Sequence, residues 1–125
     1  MPDAPAILSV VPMIPGGDDV SKSLDYYVNM LGFARRFHHG EPIELAGIAC
    51  GGVELLLYRN GDKHLAENTS YRVKVEGVDA LHAEFVGRGA AIHPDGAIHD
   101  TDWGTREFSM IDPAGVCIAF FEARG

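Results

Sequence analysis

Apolar residues fall into short strand-length runs along most of the chain and recur at helical spacing in two places. Val20, Leu24, Tyr27, Val28 and Leu31 form the first such stripe and predict a helix from about Val20 to Leu31. Gly16-Gly17-Asp18-Asp19 supplies a turn and a carboxylate N-cap ahead of it, and Gly32 stands where a left-handed C-terminal cap is wanted. Upstream, Ala6 to Ile14 predicts a strand interrupted by Pro12, which has no N–H to give and belongs at an edge, a bulge or a chain crossing. Downstream, Phe33 to His38, Glu44 to Cys50 and Val53 to Tyr58 predict three strands, the last two joined by a Gly51-Gly52 hairpin loop.

Arg59 to Asn68 is mostly polar and reads as a connection, after which the order returns. Tyr71 to Val75 predicts a strand; Val78, Leu81, Phe85 and Val86 mark a helix ended by Gly87 and Gly89; Ala90 to His93 predicts a short strand. Thr105 to Ile111 and Val116 to Glu122 predict two more, around the turn Asp112-Pro113-Ala114-Gly115. Val20 and Val78 open helices 58 residues apart, and Gly52-Val53 and Gly115-Val116 open last strands 63 residues apart. Two copies of a βαβββ unit explain that period. The expected fold is α+β in a single domain, 1–125, with one module over about 6–60 and the other over about 68–123.

Of the 125 residues 46% are hydrophobic and 22% charged, the balance of a folded domain. Ten Lys and Arg against eighteen Asp and Glu give a net charge of −8. That argues against nucleic acid or an anionic membrane as partner and suits a neutral or cationic small molecule. No apolar run approaches the ~18–20 residues of a membrane span. No basic side chain precedes Lys22, so no charged leader is expected. Cys50 and Cys117 do not make a disulfide framework, and the reading is a cytoplasmic protein with reduced thiols, although two cysteines that met could pair.

Pro15 to Phe33 (PGGDDVSKSLDYYVNMLGF), Glu67 to Phe85 (ENTSYRVKVEGVDALHAEF) and Trp103 to Glu122 (WGTREFSMIDPAGVCIAFFE) together resemble the vicinal-oxygen-chelate superfamily. Its members include glyoxalase I, extradiol dioxygenases, fosfomycin-resistance enzymes and bleomycin-resistance proteins, and the last of these segments is most like the bleomycin-resistance branch. The resemblance implies mixed sheets curled around a cavity, usually within a homodimer whose N-terminal arms can be exchanged.

Enzymes of that superfamily hold a divalent metal through side chains on four strands. The resemblance places the corresponding positions at Pro12, Leu55, Ser70 and Glu122, of which only Glu122 could be an ordinary ligand. Glu54 could join it under a shifted register, which still leaves two. No metal or cofactor is therefore expected. His38 and His39 are adjacent and point to opposite faces of a strand, and no HxxxH or HExxH spacing occurs. An unusual site using His93, His99 and Glu122 is the alternative. Both cysteines fall on strands in apolar surroundings with nothing to lower their pKa. No serine sits in a GxSxG elbow, and no glycine-rich phosphate loop is present.

Trp103 is the single tryptophan, and its ring at a loop–strand junction can stack on a planar ligand or plug the core. The resemblance implies that it lines a drug groove. Arg72 would share the inner face with Ser70 and could recognise a carboxylate or stack on a ring. Leu45 stands where the bleomycin-binding branch has a stacking phenylalanine, and that branch's acidic cluster falls here on Arg36, His39 and Gly40, with Glu41 and Glu44 displaced. The expected lining is Val53, Leu55, Leu57, Ile118 and Phe120, and the candidate ligand-binding residues are Leu45, Leu55, Ser70, Arg72, Trp103 and Glu122. No catalytic residue is assigned. These features favour a module that sequesters a neutral or cationic aromatic compound. A metal-dependent glyoxalase- or dioxygenase-type enzyme with non-standard ligands is the rival, and a ligand-free structural dimer a third reading.

Overall fold

The computed structural model describes residues 4–124; residues 1–3 and 125 of the expected domain lie outside it. The first unit runs β1 (Met13–Pro15), α1 (Val20–Asp25), β2 (Ala34–His39), β3 (Leu45–Cys50) and β4 (Val53–Tyr58). A short α2 (Lys63–Glu67) leads to the second: β5 (Ser70–Lys74), α3 (Val78–Gly87), β6 (His99–Asp100), β7 (Thr105–Ile111) and β8 (Cys117–Ala123). The sheets are ordered β1-β4-β3-β2 and β5-β8-β7-β6, so the repeat read in the sequence is a repeat of topology. In each, the first pair is parallel and the others antiparallel.

Several elements depart from expectation for local reasons. The first strand begins only at Met13. Pro12 has no N–H but still accepts a hydrogen bond from the Leu56 N–H at 2.9 Å, and the segment before it finds no strand partner in this chain. Ile7 and Leu8 are consequently 99% and 90% exposed. The first helix widens after Asp25 into a π turn over Tyr26–Met30, in which the Leu31 N–H reaches back to the Tyr26 carbonyl. Gly32 then takes the left-handed conformation, φ 83°, that ends it. The polar connection holds the unforeseen α2, whose first turn is capped by the Asp62 carboxylate accepting from the Leu65 N–H at 3.1 Å. Ala90 to His93 contributes only one bridge, Ile92 to Met110, because Pro94 cannot donate to a ladder; the sixth strand lies later, at His99–Asp100.

Strand alternation sets the core. Ala46, Ile48, Leu55 and Leu57 in the first unit, and Phe108, Met110, Ile118 and Phe120 in the second, face the helices and join one cluster with Val20, Leu24, Tyr27, Val78 and Phe85. Phe108 and Phe120 stack with centroids 5.2 Å apart, and Phe85 meets Phe120 edge-on at 5.3 Å. A buried polar seam ties the units together. Tyr27 Oη donates to Asp112 Oδ2 at 2.7 Å, and Tyr71 Oη donates to Tyr27 Oη at 3.0 Å. Asp112 Oδ1 accepts from the N–H groups of Ala114, Gly115 and Val116, which closes the turn foreseen there. Burial pushes the Asp112 carboxyl upward, while the hydrogen bonds from Tyr27 and the turn N–H groups pull it back down.

Candidate functional site

Helices cover one face of each sheet; the other is open in the described chain. Directly paired residues share a face. Met13, Leu56, Gly47 and Phe37 therefore stand in a row across β1, β4, β3 and β2 on the open side. In the second sheet Arg72, Ala119 and Ser109 form one such row, and Lys74, Phe121, Glu107 and His99 the next.

Glu107 organises the second sheet. It is 7% exposed, although it points to the open side, because three side chains close over it. Arg72 donates through both guanidinium nitrogens, at 3.1 Å to Oε1 and 2.6 Å to Oε2, with its Cζ 4.3 Å above the Phe121 ring. Thr105 Oγ1 donates to Oε2 at 2.6 Å, and Trp103 Nε1 donates to the same oxygen at 3.2 Å. The Arg72 hydrogen bonds, helped by those from Thr105 and Trp103, hold the carboxyl down at about 2. The result is an indole ring 67% exposed to solvent but tethered at its polar edge.

On the first sheet Phe37 lies across Gly47, whose missing Cβ makes room for the ring: a methyl group there would overlap its carbons. Gly47 thus lets the ring take this position, though the backbone there does not itself demand a glycine. Phe37 remains 46% exposed and meets His39 edge-on at 6.0 Å. The register between β2 and β3 slips between Arg35 and Phe37, leaving Arg36 as the extra residue of a bulge. Arg36, Phe37, Gly47, Leu56 and Glu54 border a cleft of about 310 Å³, with Val11 from the N-terminal arm at its side. A second cleft of about 400 Å³ is bordered by Val10, Pro12, Glu54, Arg72 and Lys74 among others.

Of the six expected ligand-binding residues, Ser70, Arg72 and Trp103 lie on or beside the open face of the second sheet, and Leu45 on that of the first, level with His39 and Tyr58. Leu55 and Glu122 do not. Leu55 is 2% exposed in the core, its side chain turned to the helices. The Glu122 carboxylate accepts from the N–H groups of Gly77 and Val78, at 3.0 and 3.3 Å, and so caps α3. Leu57, Ile118 and Phe120 belong to the core as well. The reason is a shift of one residue, which exchanges the two faces of a strand. Cys50 ends β3 in an exposed position rather than a buried apolar one.

The same register tests the metal that enzymes of this fold carry. The open-face positions at or next to those expected to ligate are Met13, Leu56, Ser70 and Phe121, and Glu122 is committed to the helix cap. Among the described residues no three His, Cys, Asp or Glu side chains converge. His93 accepts from the Asp95 N–H, and His99 contacts the Ala97 carbonyl, each within its own loop. These residues do not fit a divalent-metal centre.

A model of the glyoxalase superfamily matches residues 7–125, and the chain belongs to that superfamily. Among its relatives is the bleomycin resistance protein of Geobacillus stearothermophilus, 29% identical over 133 residues that cover 93% of this chain and 97% of the relative. The bleomycin-binding protein of the bleomycin producer Streptomyces verticillus, solved with copper(II)-bleomycin, superposes with a TM-score of 0.79 at 30% identity, over 98% of this chain and 99% of that one. The lactoylglutathione lyase of Agrobacterium tumefaciens shares the fold at a TM-score of 0.72 and 16% identity, covering 91% and 92% of the two chains. Binding protein and enzyme thus share this architecture, and function has to be argued from the site.

Proposed function

We propose that this protein binds a planar, drug-like aromatic molecule on its open sheet faces and releases it unchanged, in the cytoplasm and without a catalytic metal. The observation that carries this reading is Trp103: a large ring 67% exposed, held in place by the Glu107 carboxylate, is a stacking platform set up before any ligand arrives. Phe37 offers a second exposed ring beside an apolar cleft. Similarity to proteins named for bleomycin resistance and bleomycin binding supports the same reading.

The working form is a homodimer. The apolar arm that ends at Val11 finds no strand partner in the single chain and leaves Ile7, Leu8 and Val10 exposed, and a second copy would cover it. No described helix is long and apolar enough to cross a membrane.

Titration of the purified protein with bleomycin and other planar drugs, followed by tryptophan fluorescence, tests the reading. Quenching is expected, with recovery of the unaltered drug after denaturation. Stacking on an indole contributes about 0.5–1.5 kcal/mol beyond area burial, so Trp103→Ala is expected to weaken binding several-fold. Unchanged fluorescence across the panel, together with metal-dependent turnover of any of these compounds, would overturn it in favour of the enzyme.

A further inference from the structure

We infer that the cleft beside Phe37 selects an aromatic ligand carrying an anionic group, a carboxylate or its equivalent, and that Arg36 is the residue that recognises it. This rests on the binding function proposed above and specifies its ligand.

The overall charge of −8 favours a cation, but the charge that a ligand would meet is local. The Phe37 cleft is bordered by Arg36 and Glu54, and its neighbour by Lys74, the same Glu54 and an Arg72 already paired with Glu107, so Arg36 and Lys74 stand there against one carboxylate. Much of the acidic excess stands elsewhere. Asp18, Asp19 and Asp62 border a separate cleft at the starts of α1 and α2, while Asp79 and Asp100 are paired with Arg106.

The backbone at Arg36 gives the sharper argument. Consecutive residues of a regular strand point to opposite faces, so Arg36 and Phe37 would ordinarily be separated by the sheet. The bulge between Arg35 and Phe37 breaks that alternation, and both residues border the same cleft. An apolar floor, one aromatic ring and an arginine at the bulge on its border make a recognisable binding pattern. The guanidinium is a planar fork matched to a carboxylate, and among the described residues it forms no ion pair. Arg72, by contrast, already spends its fork on Glu107.

Three probes with one ring system decide the matter: 2-naphthoate, 2-naphthamide and 2-naphthylmethylammonium, titrated by calorimetry at low salt. The carboxylate is expected to bind about ten-fold more tightly than the amide, the ammonium most weakly, and added salt should shrink the spread. Arg36→Gln should bring the carboxylate down to the amide while leaving the amide unchanged, a pattern that misfolding would not produce. Equal affinities for carboxylate and amide, tighter binding of the ammonium, or a carboxylate preference that survives Arg36→Gln would each overturn the inference while leaving aromatic binding intact. Failure of all three probes and of the planar drugs to bind would instead remove the proposed function itself.

Discussion

Arg72 on β5 and Glu107 on β7 grip each other across the intervening strand, with both guanidinium nitrogens on the carboxylate and the Phe121 ring beneath. The pair also carries Trp103 and Thr105, so one carboxylate fixes the orientation of the stacking ring. Glu107→Gln is expected to weaken binding of planar drugs and to destabilise the fold. The carboxyl is depressed from the ordinary 4.5 to about 2, and because Arg72 is half exposed the gain is screened to roughly 1–2 kcal/mol at neutral pH. A depressed acid stabilises above its unfolded pKa, and that contribution is lost as pH falls from about 4.5 towards 2. Urea unfolding of both proteins at pH 7 and pH 2.5 checks this: a clear gap at pH 7 should nearly close at pH 2.5.

Glu122 gives the opposite separation of stability from function. Its carboxylate supplies the cap that Gly77, with no side chain and φ 79°, cannot give to α3. Glu122→Ala is expected to lower the thermal midpoint and leave the affinity for every aromatic probe unchanged. Loss of binding in a variant that still unfolds cooperatively would return Glu122 to the site.

The topology was legible because its signals are local and repeated: the two helical stripes, the Gly51-Gly52 and Asp112-Pro113-Ala114-Gly115 turns, and the 58- and 63-residue spacings. The site was legible only in part. Trp103 could be singled out as a lone amphipathic ring beside a glycine, and Arg72 by its place on β5. The faces of β4 and β8 are another matter. Leu55-Leu56-Leu57 and Ile118 to Phe121 are apolar on both sides, so pattern alone cannot say which residues face the helices. Phe37 escaped notice because its partner is an absence, the missing Cβ of Gly47 in mid-strand. Arg36 stood out only as a departure from the acidic cluster of the resembling branch, because a bulge leaves no mark on residue type.

Gly47→Ala tests the Phe37 site without touching a polar group. The added methyl would overlap the ring, which is half exposed and free to swing away. Replacing a strand glycine by alanine otherwise favours the folded chain by roughly 0.5–1 kcal/mol. Stability equal to or above that of the parent is expected, with naphthyl probes bound several-fold more weakly. If the variant binds them as the parent does, Phe37 does not form part of the ligand site.

The N-terminal arm tests the dimer. Ile7 and Leu8 are almost fully exposed in the single chain, and fully burying side chains of this kind contributes about 1.5–3 kcal/mol each. Two such residues per chain, exchanged reciprocally, would supply a large share of the free energy of a micromolar dimer. No tertiary hydrogen bond of either unit depends on residues before Pro12 among the described residues, so a chain lacking residues 1–9 should fold. Sedimentation equilibrium is expected to show a dimer for the full chain and a dissociation constant raised at least ten-fold for the truncated one, with similar far-ultraviolet circular dichroism. A monomer at micromolar concentration would refute the dimer, and an unchanged dimer after truncation would refute the role of the arm. Ile7→Ser with Leu8→Ser should reproduce the truncation, because removing the apolar side chains while keeping the backbone isolates burial as the cause.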